Sequence, residues 1–302
     1  MKKNRWIALL LASLYTLTPA RADEPAAAPD DLPPVPLAEP RAPAWNQWEI
    51  GPDLFWYNYE EPGFMELDGV MYGVSGRFTR FIPGSQSILD GKHGERRPGN
   101  PGDMLVLRIE GRLATGEADY DGGLQDGTPL TVSGIDSNTH EIRLLGGYRV
   151  QPRDAHYTTL FAGFGYRFKD DDSSFHPAGY KRESTYRYLP VTLTHTRRLA
   201  NGNELAFTAE YDLFLSGKHV SDLTPFDMGR ITNTQNSGYG LRASVAYAGS
   251  ATRFDWVVEP YLRYWDIDDS DPVVLLGQDA IGLLWEPANT TTELGVQARF
   301  VF

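Results

Sequence analysis

A two-residue alternation of apolar and polar side chains recurs from Trp48 to the last residue, Phe302. Successive side chains of a β-strand point to opposite faces, so this pattern predicts strands whose two faces meet different surroundings. We find about ten such segments and no convincing helical periodicity. The predicted strands cover 47–59, 70–79, 105–113, 141–150, 159–168, 183–197, 204–213, 241–247, 255–264 and 293–302. The chain is therefore predicted to be all-β.

Composition narrows the classes of protein that such strands could build. The mean hydropathy is −0.39 and no apolar run approaches 18 residues, which excludes a bundle of membrane-spanning helices. The absence of cysteine excludes disulfide scaffolds, cysteine-ligated metals and cysteine nucleophiles. A sequence pI near 5.0 argues against nucleic acid as a partner, because phosphate neutralisation needs a basic surface. A barrel is the remaining way for this chain to span a membrane.

The N-terminal segment predicts export. Lys2, Lys3 and Arg5 precede an apolar stretch, and Ala20-Arg21-Ala22 fits the small-x-small cleavage pattern, so residues 1–22 are interpreted as a signal peptide. Their removal takes away four basic residues and no acid, so the net charge changes from −12 to −16. Residues 23–45 are rich in proline and acids without periodicity, which predicts a disordered leader. The barrel is assigned to 46–302.

Three features favour a membrane barrel over a soluble sandwich. Aromatic residues cluster at strand ends, as in the interfacial girdles of membrane barrels; they are Trp56, Tyr57, Tyr59, Tyr166, Phe168, Tyr186, Tyr188, Tyr264 and Trp265. The chain ends on a strand with a terminal Phe. Short links at 151–154, 200–203 and 248–251 alternate with long ones at 120–136, 169–182, 217–235 and 266–289. We therefore predict an antiparallel transmembrane up-and-down β-barrel of about ten strands, with both termini periplasmic.

A family resemblance agrees with this prediction. The C-terminal segment TELGVQARFVF resembles the terminal strand by which Gram-negative outer-membrane barrels are recognised for insertion, although Gln297 stands where glycine is usual. The stretches EIGPDLFWYNYEEPGFMELDGVMYGVSGRF, NSGYGLRASV and EPYLRYWDI together resemble uncharacterised bacterial outer-membrane β-barrel proteins. The resemblance implies outer-membrane lipid, lipopolysaccharide and the barrel-assembly machinery as partners. It marks Phe300 and Phe302 as the insertion signal and brings no catalytic residue.

The polar face of the strands carries acids and arginines in nearly equal numbers, and no lysine in the segments assigned above. In a narrow barrel these long side chains are predicted to fill the lumen with ion pairs. The predicted lumen charge network consists of Glu49, Asp53, Arg77, Arg108, Glu110, Arg112, Glu141, Arg143, Arg149, Arg167, Glu210, Asp212, Glu259, Arg263 and Arg299. A plug is favoured over a pore, and a narrow diffusion or transport channel remains the alternative.

Catalytic and metal sites are not predicted, and neither is a cofactor. His140, His176 and His219 lie near predicted loops, but no motif places a nucleophile beside a base, so a rim-sited hydrolase is the weakest alternative. Asp170–Asp172 and the segment DIDDSD are acidic but lack the turn glycine and distal glutamate of a calcium loop. The long, basic segment 83–103 does not fit the short periplasmic turns of such barrels. The sequence thus predicts a structural or surface-interaction barrel of the outer membrane, without enzyme activity.

Overall fold

The computed structural model describes residues 45–83, 104–124, 127–153, 155–276 and 281–302. The predictions for the signal peptide, for leader residues up to 44 and for nearly all of the segment 83–103 lie outside the described residues. Within the described part of the chain, no helix is long and apolar enough to cross a membrane.

Thirteen strands and one short 3-10 helix, Thr224–Phe226, form the described structure. The strands are β1 (Asn46–Glu61), β2 (Met65–Pro83), β3 (Met104–Gly123), β4 (Pro129–Arg153), β5 (His156–Asp172), β6 (Lys181–Arg198), β7 (Glu204–Asp222), β8 (Arg230–Gln235), β9 (Gly238–Ser250), β10 (Asp255–Ile267), β11 (Val273–Leu276), β12 (Ile281–Leu284) and β13 (Asn289–Val301).

Ten of these strands close into an antiparallel barrel. Strands β1 to β7 pair in sequence order, β7 pairs with β9, β9 with β10, and β10 with β13. Strand β13 pairs with β1 and closes the ladder, for instance at Ile50 opposite Phe300. Strand β8 continues the edge of β7 beyond β9, and β11 pairs with β12 as a separate hairpin. The predicted fold class, an all-β antiparallel up-and-down barrel of about ten strands, is confirmed.

The two ends of the barrel differ. At the terminus end, where β1 begins and β13 ends, the backbones of Trp48 and Phe302 exchange hydrogen bonds of 3.1 and 2.8 Å. Short turns join the strands there at 199–203 and 251–254, and the connections from β2 to β3 and from β4 to β5 also lie at this end. At the opposite end, the loop end, a tight turn at 62–64 joins β1 to β2, and longer segments connect β5 to β6, β7 to β9 and β10 to β13. Two predicted long loops were wrong, because most of 120–136 belongs to β3 and β4 and most of 217–235 belongs to β7 and β8.

An apolar belt covers the outside of the barrel. On β1, Trp48, Ile50, Leu54 and Trp56 point outward and are 41–59% exposed. Eight residues separate the first from the last, which corresponds to roughly 20–26 Å along the barrel axis once strand tilt is included. The belt continues on the other strands through Tyr72, Val74, Ile109, Leu113, Ile142, Leu144, Leu160, Phe164, Val191, Leu193, Phe207, Leu213, Leu241, Val245, Val258, Leu262, Leu294 and Phe300.

Many of the aromatic residues predicted to form interfacial girdles lie inside the barrel. Tyr57, Tyr59, Tyr186, Tyr188 and Trp265 are buried, whereas Trp56 and Tyr166 are exposed on the outer surface. The girdle prediction was therefore wrong for these five side chains. Their interior packing depends on glycine, because a Cβ at Gly165 would lie 2.1 Å from the Tyr188 ring.

Candidate functional site in the barrel interior

Acids and arginines fill the middle of the barrel. The structure places every residue of the predicted lumen charge network on the inward face, and most of them contact at least one partner of opposite charge. Their inward direction follows from strand parity, since alternate residues share a face. Pairing between distant strands then brings the charges together.

Glu293 is the most connected carboxylate of this central charge network. Its side chain is fully buried, and it accepts hydrogen bonds from Arg112, from Arg167 at 2.7 Å and from Arg263 at 3.4 Å. Arg112 also contacts Asp53 and donates to the Tyr261 hydroxyl at 2.6 Å. Strand parity in the sequence already assigns Glu293 to the lumen, whereas sequence reasoning missed Tyr261, which shares the inward parity of its strand.

A second group of ion pairs lies closer to the terminus end. Glu110 contacts Arg77 at 2.9 Å and Arg143 at 3.0 Å, and Arg143 also reaches Glu210. Glu49 accepts from Arg299 at 2.9 Å, and Arg299 in turn contacts Glu259. Glu141 completes the network by contacting Arg263 and by accepting a 2.6 Å hydrogen bond from the Tyr188 hydroxyl. Each of these carboxylates is thus shared between charged or hydroxyl donors, which suits a low-dielectric interior.

Two residues of the predicted lumen charge network do not take part in these ion pairs. Among the described residues, neither Arg149 nor Asp212 has an ion-pair partner, although both point inward. The expectation that the inward face carries no lysine was also wrong, because Lys169 is buried there and contacts Asp171. Asp171 had been considered as part of an acidic cation site; its partners are instead Lys169 and the Ser137 hydroxyl, at 2.6 Å.

Three cavities interrupt the packed interior of the described residues. One of about 50 Å³ lies within the central charge network, beside Arg112, Glu141 and Arg263. One of about 170 Å³ lies at the terminus end, and one of about 10 Å³ lies at the loop end, beside Tyr57 and His219. A cavity of the last size holds about one water molecule at most.

A cluster of polar side chains closes the loop end of the interior. We call Tyr59, Glu61, Arg182, Ser184, His219 and Glu286 the loop-end cluster. Arg182 contacts Glu61 and, at 2.7 Å, Glu286, while the Tyr59 hydroxyl donates to Glu286 at 3.0 Å. Glu286 lies in the connection between β12 and β13, so this cluster ties that connection to β1 and β6. Sequence reasoning missed Glu286, because loop residues carry no periodicity.

His219 is the residue that most resembles a catalytic group. Its Nδ1 lies 2.9 Å from the Ser184 hydroxyl, and its Nε2 lies 3.2 Å from a Glu286 oxygen. Arg182 Nε lies 3.4 Å from the same Nε2, so a donor and a carboxylate both face this nitrogen and favour opposite tautomers of the ring. His219 is only 2% exposed, which keeps a substrate away from its contact with Ser184. The geometry therefore describes a closed latch better than a nucleophile with its base.

Burial and charge set the protonation of this latch, which lies above the apolar belt. Burial and the neighbouring Arg182 lower the pKa of His219 to about 3. Burial raises the pKa of Glu286 above its usual value despite its contact with Arg182. The titratable groups around His219 are Arg182 on β6, Glu61 and Tyr59 on β1, Lys169 and Asp171 on β5, and Glu286.

We expect His219 to make the barrel acid-sensitive. Its pKa is about 6.5 in an unfolded chain and about 3 in the fold, so the neutral form is favoured by folding. The contribution of His219 to the free energy of unfolding is fully present above pH 6.5 and is lost as the pH falls towards 3. The pKa of Glu286 is raised by folding, so the contribution of Glu286 increases as the pH falls. The H219Q variant should therefore lose less urea resistance than the wild type between pH 7 and pH 4 in detergent micelles.

The matched control is H195Q, because His195 is exposed on the outer surface of β6. Its pH profile should follow that of the wild type. Equal acid sensitivity of the wild type and H219Q would contradict a neutral, buried His219.

The remaining histidines do not form a site with a nucleophile. His140 is exposed and stacks on Phe168 with ring centroids 5.9 Å apart, and the His176 ring accepts from the backbone of Ala178. Within the described ranges, no three histidine, aspartate or glutamate side chains converge closely enough to hold a metal ion. The interior charge network, the loop-end cluster and the cavity at the terminus end therefore form the candidate functional site.

Together these features define the class of protein. A closed antiparallel ladder, an apolar outer surface and a charged interior belong to the transmembrane type of up-and-down β-barrel. Neither a scan against protein-family models nor a search of curated proteins finds a match.

Solved structures with some likeness are outer-membrane barrels. The outer membrane protease OmpT from Escherichia coli is 10% identical, with 85% of this chain and 96% of that chain covered and a TM-score of 0.46. The transport unit of the autotransporter AIDA-I from Escherichia coli is 8% identical, with coverages of 86% and 92% and a TM-score of 0.38. The attachment invasion locus protein Ail of Yersinia pestis is 10% identical, with coverages of 86% and 100% and a TM-score of 0.27. Because these identities and TM-scores are low, the fold of this chain follows from its own strand pairing.

Proposed function

We propose that this chain is an integral outer-membrane barrel of a Gram-negative bacterium with an occluded lumen, acting as a structural or surface-interaction protein. The observation that carries the proposal is the central charge network, which fills the middle of the barrel below the loop-end cluster. Export depends on the signal peptide, both termini are periplasmic, and Phe300 and Phe302 present the insertion signal to the barrel-assembly machinery. Phe300 is exposed in the belt, and Phe302 is 70% exposed at the terminus end, which suits that role.

The outer surface at the loop end supports lipopolysaccharide as a partner. Acids stand directly opposite one another just above the apolar belt, in the cross-strand pairs Glu60–Glu66, Asp68–Asp119 and Glu117–Asp136. Like charges in such positions repel each other, so these acids favour an environment rich in cations. Lipid phosphates bridged by divalent cations provide that environment. Contact with lipopolysaccharide is therefore part of the proposed function.

Conductance in planar bilayers tests the occluded lumen. We expect the wild-type barrel to show no steady current, because the interior cavities are small and separated by paired charges. R143A should conduct weakly and prefer cations, because it leaves Glu110 and Glu210 short of a partner and makes room for water. The neighbouring L144A variant changes the outer surface and should remain silent. A large, steady wild-type current would instead establish the narrow diffusion pore.

A rim-sited hydrolase is the second candidate, favoured by the contact of Ser184 with His219 and of His219 with Glu286. The burial of His219, which is only 2% exposed, argues against it. Hydrolysis of an acyl ester by the purified barrel that disappears in S184A and persists in S221A would establish this activity and overturn the non-enzymatic proposal.

A further inference from the structure

The cavity of about 170 Å³ lies at the terminus end of the barrel, and we call it the vestibule. Arginines and glutamates line it in equal numbers, but their pairing is unequal. Every lining carboxylate has an arginine within 3.5 Å; the pairs are Glu49–Arg299, Glu110–Arg77, Glu204–Arg198, Glu210–Arg242 and Glu259–Arg299. Each carboxylate of the vestibule therefore has a closer arginine partner than Arg108 or Arg149.

Arg149 has no ion pair with any described residue, and its buried Nε has no hydrogen-bond partner. Its guanidinium lies 4.2 Å from the centre of the Tyr157 ring and 4.5 Å from that of Phe81. These two rings fix the plane of the guanidinium, and the Nε–H is left without an acceptor. A buried, unsatisfied donor of this kind calls for an acceptor that the protein does not supply.

Arg108 also lacks a close ion pair. Its nearest carboxylate oxygen, on Glu110, is 3.8 Å away, and that carboxylate is already held by Arg77 and Arg143. The Arg108 guanidinium lies 4.3 Å from the centre of the Phe161 ring. Phe161 and Phe81 belong to one apolar cluster with Val106 and Leu145, so both guanidinium groups rest on the same surface of the vestibule.

Buried hydroxyl groups stand beside both arginines. Thr79 is directly opposite Arg108 in the pairing of β2 with β3, and its Oγ1 accepts from Arg108 Nε at 3.3 Å. Thr159 is directly opposite Arg149 in the pairing of β4 with β5. A planar guanidinium group binds the oxygens of a carboxylate or a phosphate through bidentate hydrogen bonds, and a neighbouring hydroxyl group can donate a further one.

We propose that the vestibule binds a small oxyanion, a phosphate or a carboxylate, between Arg108 and Arg149. The volume suits a group of a few heavy atoms and excludes a nucleotide. The ligand enters from the terminus end and accepts from the Arg149 Nε–H, which has no partner in the protein, while Arg108 adds a second positive charge. This site is independent of the proposed occluded lumen, because a vestibule that is closed at the central network can still bind an anion.

Isothermal titration of the full-length protein in a zwitterionic detergent tests the proposal, with inorganic phosphate and succinate as probes and chloride at equal ionic strength as reference. We expect saturable binding of at least one probe. R149Q and R108Q should each weaken it at least about tenfold, because each removes a charge-assisted donor pair. R197Q is the matched control, since Arg197 is exposed on the outer surface at the same end. Binding of phosphate alone would identify a phosphate group, and binding of succinate alone a carboxylate.

A second measurement separates binding from folding. Without a ligand, R149Q should be at least as resistant to urea as the wild type, because it removes an unpaired buried charge. Phosphate or succinate should raise the urea midpoint of the wild type and of R197Q but not that of R149Q. R149K keeps the charge but loses the planar fork, so it should bind with intermediate affinity. Absence of saturable binding by the wild type, or unchanged binding by both R108Q and R149Q, would overturn the proposal.

Discussion

Replacement of Glu293 by alanine is expected to destabilise the barrel more than any other single truncation in its interior. The change leaves Arg112, Arg167 and Arg263 without their common acceptor in a fully buried place. Breaking a buried ion pair from one side costs about 3–5 kcal/mol, because the remaining charge is uncompensated. Water in the adjacent 50 Å³ cavity reduces this cost only partly. The urea midpoint of E293A in detergent micelles should fall accordingly, and much of the protein should fail to refold.

Two further variants separate charge from packing. L294A truncates the next residue, which points outward and is 52% exposed, so its effect should be much smaller. The double variant E293A/R167M removes one of the unpaired guanidinium groups and should regain part of the lost stability. Arg167 is the best choice, because its Nε and one terminal nitrogen already lack partners. If E293A unfolds at the same urea concentration as the wild type, the network does not stabilise the barrel.

The inward face could be predicted because strand parity is a local property. Once Trp48, Ile50 and Leu54 were assigned to one face, Glu49 and Asp53 had to lie on the other. The same reasoning applied on each strand, and it required no knowledge of which strands are neighbours. The barrel was inferred from the aromatic residues at strand ends, the C-terminal strand with its terminal Phe and the alternating lengths of the connections.

The pairs within the network could not be predicted, because they depend on register between distant strands. Arg112 on β3 and Glu293 on β13 are 181 residues apart, and they meet only because closure of the barrel leaves just β2 and β1 between their strands. Glu110 lies between Arg77 and Arg143, and one residue of slip would direct these side chains outward. The absence of an ion pair for Arg149 could not be foreseen for the same reason.

The interior aromatic residues were misjudged because composition was given more weight than parity. Tyr57 shares the odd-numbered face with Asp53, and Trp265 shares it with Arg263, so parity alone would have placed both inside. The error came from treating aromatic residues at strand ends as membrane anchors. In this barrel Trp265 packs instead against Tyr188, with ring centroids 5.0 Å apart, next to the charge network.

An arginine in the middle of the apolar belt should prevent normal insertion. Val74 points outward from β2, is 50% exposed and lies midway between Val70 and Phe78 on the same face. A charged side chain facing lipid at the membrane midplane costs about 2–4 kcal/mol in barrels of this type. We expect V74R to fold poorly into lipid vesicles and to accumulate outside the membrane fraction in cells. Heat-modifiable migration on gels and recovery from the outer-membrane fraction would measure this loss.

The matched control is D68R, which places the same side chain on the same face of the same strand, six residues nearer the loop end. Asp68 lies above the apolar belt and directly opposite Asp119. An arginine there meets polar surroundings and replaces a repulsive pair with an attractive one, so D68R should insert as well as the wild type. The two variants share strand, face and introduced side chain, and they differ in depth and in the cross-strand partner of the arginine. Equal insertion of V74R and D68R would mean that the outer surface does not face hydrocarbon, and the membrane proposal would then be wrong.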